Sequence, residues 1–456
     1  MKFVRLVFAS CLLLAPFAAA QSGGRAAEQE PVIVVDGVPF YSWQAYTSSQ
    51  LFRDKELRCT SRFSEEIPFA PPSDCAYGST VIKPEYDPGA TIEIPVVVHV
   101  IQSTSGQGNI PDFRIESQID ILNEDFLALM GTNGQNGTDT QIRFYLANVD
   151  PNGNPTNGIT RTTNNSWFND SGTYFNTLAW DTNRYLNIYT NQASGALGYV
   201  PDLPQGGLVG SKSDRVVCLW SAFGRNAPIG APYNQGRTVT HEVGHYLGLW
   251  HTFDRGCGTS SCYSTGDAIC DTNRESGPVF GCPGSSTSCG SSDPFHNYMD
   301  YSDDLCMEEF TPEQTNRMRC TLEFWRPNLA CAEAISTSRA GGGNNFDTAY
   351  TVSADPLLGT SFTASVDATA SGYSSVTLLG YLGQGNFPLS GGQVLLLDLG
   401  SPFLFSTTLP GPVANFNVTI PNSTNFCGLR ISSQGVLFGG LASFRLTNSQ
   451  DWTIGL

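Results

Sequence analysis

The 456-residue sequence predicts an α/β domain, built as a twisted mixed sheet with two long helices and an irregular C-terminal subdomain, followed by a small all-β sandwich. Alternating strand-like and helix-like segments over residues 89–333 predict the first domain. Residues 334–345 are polar and rich in glycine, which predicts a linker. Residues 346–456 consist of short apolar segments between Gly, Pro and Ser turns and carry few charges, which predicts the sandwich.

The first residues predict a secretory signal over 1–20. Lys2 and Arg5 precede the apolar run Leu6–Ala20, which ends in the small residues typical of a cleavage site. The run is too short for a stable transmembrane span. The 13 cysteines agree with export, because disulfides persist in oxidising compartments. We therefore expect a secreted, extracellular protein.

The next segment, residues 21–88, predicts a propeptide, because it is polar and has no sustained hydrophobic periodicity. The net charge of the whole chain, −17, restricts the possible partners. Nucleic acids and anionic lipid surfaces repel such a chain, so we expect no nucleic-acid binding and no electrostatic attachment to membranes. We expect no membrane insertion either, because no later segment is long and apolar enough to cross a bilayer.

The apolar pattern places individual elements within these domains. The segment Ala196–Pro201 should lie at an edge of the sheet, where an extended substrate can add as a strand. After residue 251 the regular pattern is lost for about fifty residues. The predicted strands are 92–101, 141–146, 186–190 and 215–219, the predicted helices are 115–129 and 237–249, and the last domain has predicted strands at 394–399, 415–420 and 442–447.

Residues 241–251 have the pattern H-E-x-x-H-x-x-G-x-x-H, which indicates a zinc metalloprotease. On a helix, His241 and His245 lie on one face and can share a metal ion. Glu242 projects beside them, where its carboxylate can take a proton from water. Gly248 can adopt the positive φ that ends a helix, so that the chain turns and His251 supplies a third nitrogen. Three protein ligands leave a fourth position for water, as in catalytic zinc sites. An apolar helix with incidental histidines is the weaker alternative.

Further motifs resemble the pappalysin branch of the metzincin proteases. The resemblance covers roughly residues 90–332 and implies a metzincin α/β fold. It implies that Met299 forms an apolar support beneath the zinc histidines. It also implies that Tyr301 reaches the metal and stabilises the oxyanion of the reaction. The matching segments are 94–100, 115–126, 251–253, 266–267, 271–272, 281–283, 297–301 and, within 306–318, Cys306, Phe310-Thr311, Gln314 and Arg317-Met318.

Cys59, in the stretch Leu57-Arg58-Cys59-Thr60, has two interpretations. Metzincin propeptides often place a thiolate on the zinc ion, and the resemblance implies this role for Cys59. A thiolate is a good ligand for zinc, and an adjacent arginine lowers a thiol pKa. The alternative is a disulfide between Cys59 and Cys75.

The six cysteines from Cys257 to Cys306 lie around the predicted active site. A zinc ribbon is disfavoured because no C-x-x-C pair occurs, so disulfides are expected. The resemblance implies the pairs Cys257–Cys289 and Cys282–Cys306. Two further pairs, Cys262–Cys270 and Cys320–Cys331, are also predicted.

The resemblance implies two finer features of the site. Asp267, Asp271 and Thr272 carry the hard oxygen donors that calcium prefers, although Asn273 stands where the family usually has proline. Family members that cleave before Arg or Lys have an acidic residue immediately before the cysteine that follows the methionine turn. Leu305 precedes Cys306 here, and the nearby Asp303 and Asp304 are out of register, which predicts a preference for apolar or small residues after the scissile bond. The alternative is a loop rearrangement that brings Asp304 into the pocket.

Together these features predict a secreted zinc-dependent endopeptidase that is made as a zymogen and acts on proteins or peptides. Glu242 is the predicted general base and Tyr301 the predicted oxyanion stabiliser. The alternative is a catalytically silent adhesion or binding protein that uses the C-terminal β-domain, whose own partner the sequence does not identify.

Overall fold

The computed structural model describes residues 30–456, apart from 64–73, 90, 330–333, 345, 370–371, 422–425, 427, 441–443 and 456. The predicted secretory signal therefore lies outside the described residues. Among the described residues, no helix has both the length and the apolar character needed to cross a membrane.

The segment predicted as a propeptide begins with a short hairpin and two short helices. Ser42 and Ser49 cap the helices by accepting hydrogen bonds from backbone N–H groups of the first turn. Tyr46 and Phe52 are fully buried in the same apolar core as the α/β domain, so this segment packs onto that domain. The elements are β1 (Ile33–Val35), β2 (Val38–Phe40), α1 (Trp43–Thr47), α2 (Gln50–Asp54), β3 (Cys75–Ala76) and β4 (Ser79–Thr80).

The α/β domain is a mixed sheet in the order β6-β5-β8-β10-β9, with β7 also paired to β5. All of these pairs are parallel except β9 with β10. The elements are β5 (Ile92–Gln102), α3 (Asp112–Phe126), β6 (Ile142–Leu146), β7 (Ile159–Thr163), α4 (Asn165–Phe168), α5 (Phe175–Leu178), β8 (Leu186–Asn191), β9 (Gly198–Tyr199), β10 (Val216–Leu219) and α6 (Arg237–Tyr246).

Burial explains why these segments form the sheet and its helices. The stretch from Ile94 to Ile101 is buried throughout, as expected for a parallel strand covered on both faces. Helix α3 packs against β6 and α6, and α6 packs against β9 and β10. The metal-binding helix thus lies directly behind the edge strand β9, which falls within the predicted edge segment Ala196–Pro201.

The region between α6 and the next long helix is mostly irregular. It contains one turn of 3-10 helix (Cys262–Ser264) and the short hairpin strands β11 (Thr287–Ser288) and β12 (Ser291–Ser292) before α7 (Pro312–Phe324). A capping box between Thr311 and Gln314 starts α7. The predicted pairs Cys257–Cys289, Cys262–Cys270 and Cys282–Cys306 are all present as disulfides.

The predicted Cys320–Cys331 pair is wrong. Cys320, on α7, is bonded to Cys75, 245 residues away in the sequence. Cys331 lies outside the described residues. The alternative predicted for Cys59, a disulfide with Cys75, is also wrong, because Cys75 is bonded to Cys320. Cys59 is a free thiol.

The described residues of the C-terminal part form three antiparallel sheets, which are β13-β22-β21-β16-β19, β14-β15-β20 and the two-stranded β17-β18. Phe362, Leu378, Phe416 and Trp452 come from the first two of these sheets and share one buried apolar core. The strands are β13 (Ile335–Arg339), β14 (Tyr350–Val352), β15 (Ser361–Asp367), β16 (Ser375–Tyr381), β17 (Gln384–Pro388), β18 (Val394–Leu397), β19 (Phe403–Pro410), β20 (Val413–Thr419), β21 (Arg430–Phe438) and β22 (Arg445–Thr453).

The predicted linker, 334–345, needs a correction. Its first half forms β13, which pairs along its whole length with β22. The C-terminal unit therefore begins about ten residues earlier than the predicted boundary at 346, and Gly341–Gly343 follows its first strand.

The Cys75–Cys320 bond gives a direct test of this fold. Peptide mapping of the non-reduced protein will recover Cys75 joined to Cys320. Because the bond closes a long loop, Cys320→Ser will lower the free energy of unfolding of the α/β domain by about 2–5 kcal/mol. A mapped Cys59–Cys75 or Cys320–Cys331 peptide would contradict the structure.

Candidate metal centre and active site

Three histidine side chains converge at the C-terminal end of α6. The Nε2 atom of His245 lies 3.1 Å from Nε2 of His241 and 3.0 Å from Nε2 of His251. His241 and His245 face one side of α6, and the chain leaves the helix through Gly248, whose φ is +94°. A β-carbon at Gly248 would come within 2.5 Å of Thr321 Oγ1, so only glycine fits this turn.

Each of the three imidazole rings is oriented by a hydrogen bond through Nδ1. His241 and His245 lie 2.7 Å from the carbonyl oxygens of Tyr298 and Leu249, and His251 lies 2.9 Å from the Asp254 carboxylate. Carbonyl and carboxylate oxygens only accept, so Nδ1 carries the proton and Nε2 carries the lone pair.

The converging lone pairs favour a bound cation. Nε2 of His245 lies 3.1 and 3.0 Å from Nε2 of His241 and of His251, and lone pairs this close repel one another unless a positive charge lies between them. Burial lowers the pKa of His241 and His245 well below the ordinary value, so protonation of these rings does not relieve the repulsion. Neutral imidazoles with oriented Nδ1 groups are the donor set that zinc accepts.

Cys59 completes this cluster. The Cys59 thiol and the three histidines offer ligand atoms that all lie within 4.8 Å of one another, and all four side chains are buried. Burial raises the pKa of the Cys59 thiol, and the nearby Glu242 carboxylate adds to the rise. A metal ion opposes both effects, because it stabilises the thiolate directly.

The two predicted catalytic side chains lie beside the cluster and contact the same propeptide stretch. Glu242 is fully buried, with Oε2 3.3 Å from the Ser61 hydroxyl and 3.5 Å from the Cys59 sulfur. Its Oε1 has no hydrogen-bond partner. Burial raises the pKa of Glu242 to about 8, whereas a bound dication favours the ionised carboxylate. The Tyr301 hydroxyl donates to the Cys59 carbonyl oxygen at 2.8 Å and lies 3.2 Å from Nε2 of His251.

Met299 lies beneath α6, as the sequence predicts. A β-carbon at Gly244 would come within 2.4 Å of the Met299 sulfur, so glycine at this helix position allows the methionine to approach the backbone between the two helical histidines. Met299 is fully buried. The turn itself is fixed by Asn297, whose side-chain amide exchanges two hydrogen bonds with Gln314.

Residues 57–61, within the segment predicted as a propeptide, run along the edge strand β9. The Leu197 N–H donates to the Leu57 carbonyl at 2.8 Å, and the Thr60 N–H donates to the Gly198 carbonyl at 3.2 Å. The residue numbers of the two segments rise together, so the pairing is parallel. The site predicted for an extended substrate is therefore filled by residues 57–61.

Arg58 occupies a closed pocket beside the cluster, and the sequence analysis missed it. Its guanidinium donates to Asp304 at 3.2 Å and to the Thr238 hydroxyl at 2.6 Å, and lies 5.1 Å from the centre of the Tyr233 ring. Both Arg58 and Asp304 are fully buried. The only signal in the sequence was the position of Arg58 next to Cys59.

Leu305, on which the predicted apolar preference rests, does not line the Arg58 pocket. The Leu305 side chain is 67% exposed, whereas the preceding Asp304 is fully buried. The backbone N–H of Gln235 donates to Asp304 at 2.8 Å and orients the carboxylate toward Arg58. The acidic side chain in contact with Arg58 is therefore Asp304, two residues before Cys306.

The three predicted calcium ligands make different hydrogen bonds. Asp267 accepts a hydrogen bond from the Thr272 hydroxyl at 2.7 Å, but the Asp271 carboxylate accepts from the Glu313 N–H in the first turn of α7. Among the described residues, only the cluster of Cys59 and the three histidines brings at least three acidic, cysteine or histidine ligand atoms together.

Comparisons with known proteins agree with this geometry. The family profile of peptidase family M43, described as pregnancy-associated plasma protein-A, matches residues 169–323. The chain is 38% identical over 239 residues to an extracellular metalloprotease of Colletotrichum graminicola, covering 50% of this chain and 75% of the relative. It is 36% identical over 247 residues to an extracellular metalloprotease of Verticillium alfalfae, covering 52% of this chain and 76% of the relative. It is also 41% identical to Tannerella forsythia mature mirolysin solved with a cleaved peptide, covering 52% of this chain and 93% of that chain, with a TM-score of 0.44.

The role of Asp254 in orienting His251 can be tested directly. Asp254→Ala will lower the affinity for zinc roughly 10- to 100-fold, because His251 loses the acceptor that fixes its ring. Competition with a chelator of known affinity measures this change. Asp181→Ala, at an exposed carboxylate, is the control and should leave the affinity unchanged. Equal affinities of the two variants would show that Asp254 does not orient the ligand.

Proposed function

The chain belongs to the pappalysin family of metalloproteases, and we propose on that basis that its mature form is a secreted zinc endopeptidase, made first as an inactive precursor. The convergence of three imidazole Nε2 atoms beside the buried Glu242 carboxyl carries the proposal. The alternative, a catalytically silent adhesion protein, is disfavoured because the relatives are metalloproteases and the general base is present. Proteins and peptides are its substrates.

His241, His245 and His251 would hold the zinc ion, which supplies a Lewis acid for the substrate carbonyl and makes water more acidic. Glu242 takes a proton from the attacking water and later gives it to the leaving amine. Its position favours both steps, because Oε1 is free of other partners and the site excludes bulk water.

Tyr301 is placed to stabilise the carbonyl oxygen of the substrate as negative charge develops on it. Its hydroxyl already donates to a backbone carbonyl, that of Cys59, beside the histidine cluster. A substrate carbonyl can take the same place when the propeptide leaves, so the hydrogen bond needs little rearrangement.

The propeptide blocks each part of this machinery. Cys59 takes the fourth ligand position, its carbonyl occupies Tyr301, and Ser61 contacts Glu242. Residues 57–61 also cover the edge of β9. We propose that the precursor is inactive for these reasons and that proteolysis of the segment after residue 20 releases activity.

The Arg58 pocket supports a revised specificity. We propose that it receives the side chain immediately after the scissile bond and prefers arginine or lysine. A buried carboxylate without a positive partner is costly, so Asp304 selects a basic side chain once Arg58 has left. The planar Tyr233 ring adds a favourable cation–π contact.

Residues 334–456 form, in this proposal, a β-sandwich accessory domain that takes no part in the chemistry. The interactions that surround the zinc site come from residues before 330. A calcium ion near Asp267 and Thr272 remains a prediction for the mature enzyme.

Glu242→Ala tests the mechanism. The variant should retain zinc, because the three ligands remain, and should lose roughly 10²- to 10⁴-fold in kcat. Metal analysis and hydrolysis of a fluorogenic peptide measure the two quantities. Glu93→Ala, at an exposed carboxylate on β5, is the control and should behave as wild type. Undiminished activity of Glu242→Ala would exclude this general base.

Cys59→Ala tests latency. The full-length variant should mature faster than wild type, or hydrolyse the reporter before cleavage, because the fourth ligand position is open. Cys218 offers a matched control, since it is the other free, buried cysteine among the described residues and lies outside the cluster. Cys218→Ala should retain normal latency. Equal behaviour of the two variants would contradict a role for Cys59 at the metal.

Asp304→Asn tests specificity. The amide keeps the volume and one acceptor oxygen but removes the charge, so the preference for Arg over Leu after the scissile bond should fall roughly 10- to 100-fold. Ratios of kcat/KM for two peptides that differ only at this position measure the effect. Asp303→Asn, one residue earlier and only partly buried, should leave the ratio unchanged. A wild-type enzyme that prefers apolar residues there would contradict the proposed pocket.

A further inference from the structure

We infer that residues 74–88, which the sequence assigns to the propeptide, stay in the mature enzyme. There, Tyr77, Leu203 and Trp250 form a subsite for an apolar side chain of the substrate that lies before the scissile bond. Phe63 fills this subsite in the precursor. The placement of this subsite before the scissile bond, rather than after it, rests on the role proposed for the Arg58 pocket.

Several strong contacts fix residues 74–88 to the α/β domain. The disulfide Cys75–Cys320 joins the segment to α7, and the Trp325 indole donates to the Cys75 carbonyl at 2.9 Å. Asn316 donates to the Lys83 carbonyl at 2.7 Å. These contacts cross from the supposed propeptide to a helix that the catalytic unit needs.

Arg317 makes the attachment indispensable. This buried guanidinium donates to the carbonyl oxygens of Ala76 and Ser79 at 2.8 and 2.6 Å, and through Nε to the Gly248 carbonyl at 3.1 Å. Loss of residues 74–88 would leave a buried charge with unpaired donors directly behind the turn that positions His251. The segment therefore belongs with the metal site, not with the part that is released.

The same segment forms a wall of the substrate cleft. The Tyr77 ring packs edge-on against Trp250, with 5.3 Å between ring centres, and the Trp250 indole donates to the Tyr77 carbonyl at 2.9 Å. Together with Leu203 these rings form a separate apolar cluster. The Arg255 guanidinium lies 4.7 Å from the centre of the Trp250 ring, where a cation–π contact adds to its fixation.

Phe63 shows what this cluster accepts. Its ring centre lies 5.4 Å from that of Trp250 and 5.1 Å from that of His245, both in edge-to-face geometry. Aromatic contacts of this kind add to the gain from apolar burial. An apolar side chain from a substrate can make the same contacts once Phe63 has left.

The position along α6 assigns the subsite to the non-primed side. Arg58 contacts Thr238 near the start of α6, whereas Phe63 contacts His245 near its end. Seven residues of helix separate these contacts by about 10 Å. A substrate that places a basic side chain in the Arg58 pocket therefore places residues from before the scissile bond near Trp250.

The first measurement is the N-terminus of the mature enzyme. Mass spectrometry of the active, secreted protein should show a chain that begins before Cys75 and keeps the Cys75–Cys320 bond. A mature chain that begins at or after residue 89, with the earlier segment lost, would overturn the inference.

The second measurement is selectivity before the scissile bond. A peptide library whose cleavage sites are mapped by mass spectrometry should show enrichment of Phe or Leu at one non-primed position, with Phe favoured over Ala by roughly 10- to 100-fold in kcat/KM. Tyr77→Ala should reduce that ratio about fivefold or more. Tyr86→Ala is the matched control, because Tyr86 is an equally buried tyrosine of the same segment that packs against Phe324, away from the cleft.

Equal changes in the two tyrosine variants, or no apolar preference in the wild type, would overturn the subsite. If Tyr77→Ala does not fold, Phe63→Ala provides a second test, because this substitution lies in the released segment and leaves the mature enzyme unaltered. The Phe63→Ala precursor should reach full activity after a shorter lag than the wild-type precursor. An unchanged lag would count against the inference. Loss of the basic preference with the apolar one retained would overturn only the proposed Arg58 pocket.

Discussion

The site depends on the repulsion between three buried imidazole lone pairs. Nε2 of His245 lies 3.1 and 3.0 Å from Nε2 of His241 and of His251 in a region closed to solvent, and Nδ1 of each ring is committed to an acceptor. Such an arrangement is stable only around a cation. Gly244 and Gly248 serve this arrangement, since the first admits Met299 beneath the helix and the second allows the turn that brings in His251.

The scaffold around this centre is fixed by groups that are distant in the sequence. The irregular chain between α6 and α7 has little regular hydrogen bonding of its own, and three disulfides hold it. Helix α7 then contributes Arg317 and Cys320, which join it to the turn after α6 and to residues before β5. The metal ligands are therefore positioned by a closed set of contacts that includes part of the N-terminal segment.

The features that could be predicted from the sequence are those that local residue patterns determine. Three histidines at fixed helical and turn spacing predicted the ligand set, and the continuous apolar run of β5 predicted a buried strand. The Arg58–Asp304 pair could not be predicted, because a separation of 246 residues carries no local signal and the pocket depends on a shift of one residue in an irregular loop. The Cys75–Cys320 bond was missed for the same reason, because its two cysteines lie 245 residues apart in the sequence. Closeness in the sequence suggests a pairing only for disulfides that close short loops. Strand β13 was mistaken for a linker because its alternating pattern is short and polar.

In the proposed function, latency and specificity use the same buried charge. While Arg58 lies in its pocket, Asp304 has a buried counter-ion, joined to it by a hydrogen bond of 3.2 Å, although Nε of Arg58 has no partner. When Arg58 leaves, the carboxylate remains buried and held by the Gln235 N–H, and it loses the stronger of the two positive charges that favour its ionised form, the other being Arg237. A substrate arginine or lysine restores that charge, which an apolar side chain of equal size does not. The contact that keeps the precursor closed therefore also defines the side chain that the open enzyme binds best, and the two properties must change together when Asp304 is altered.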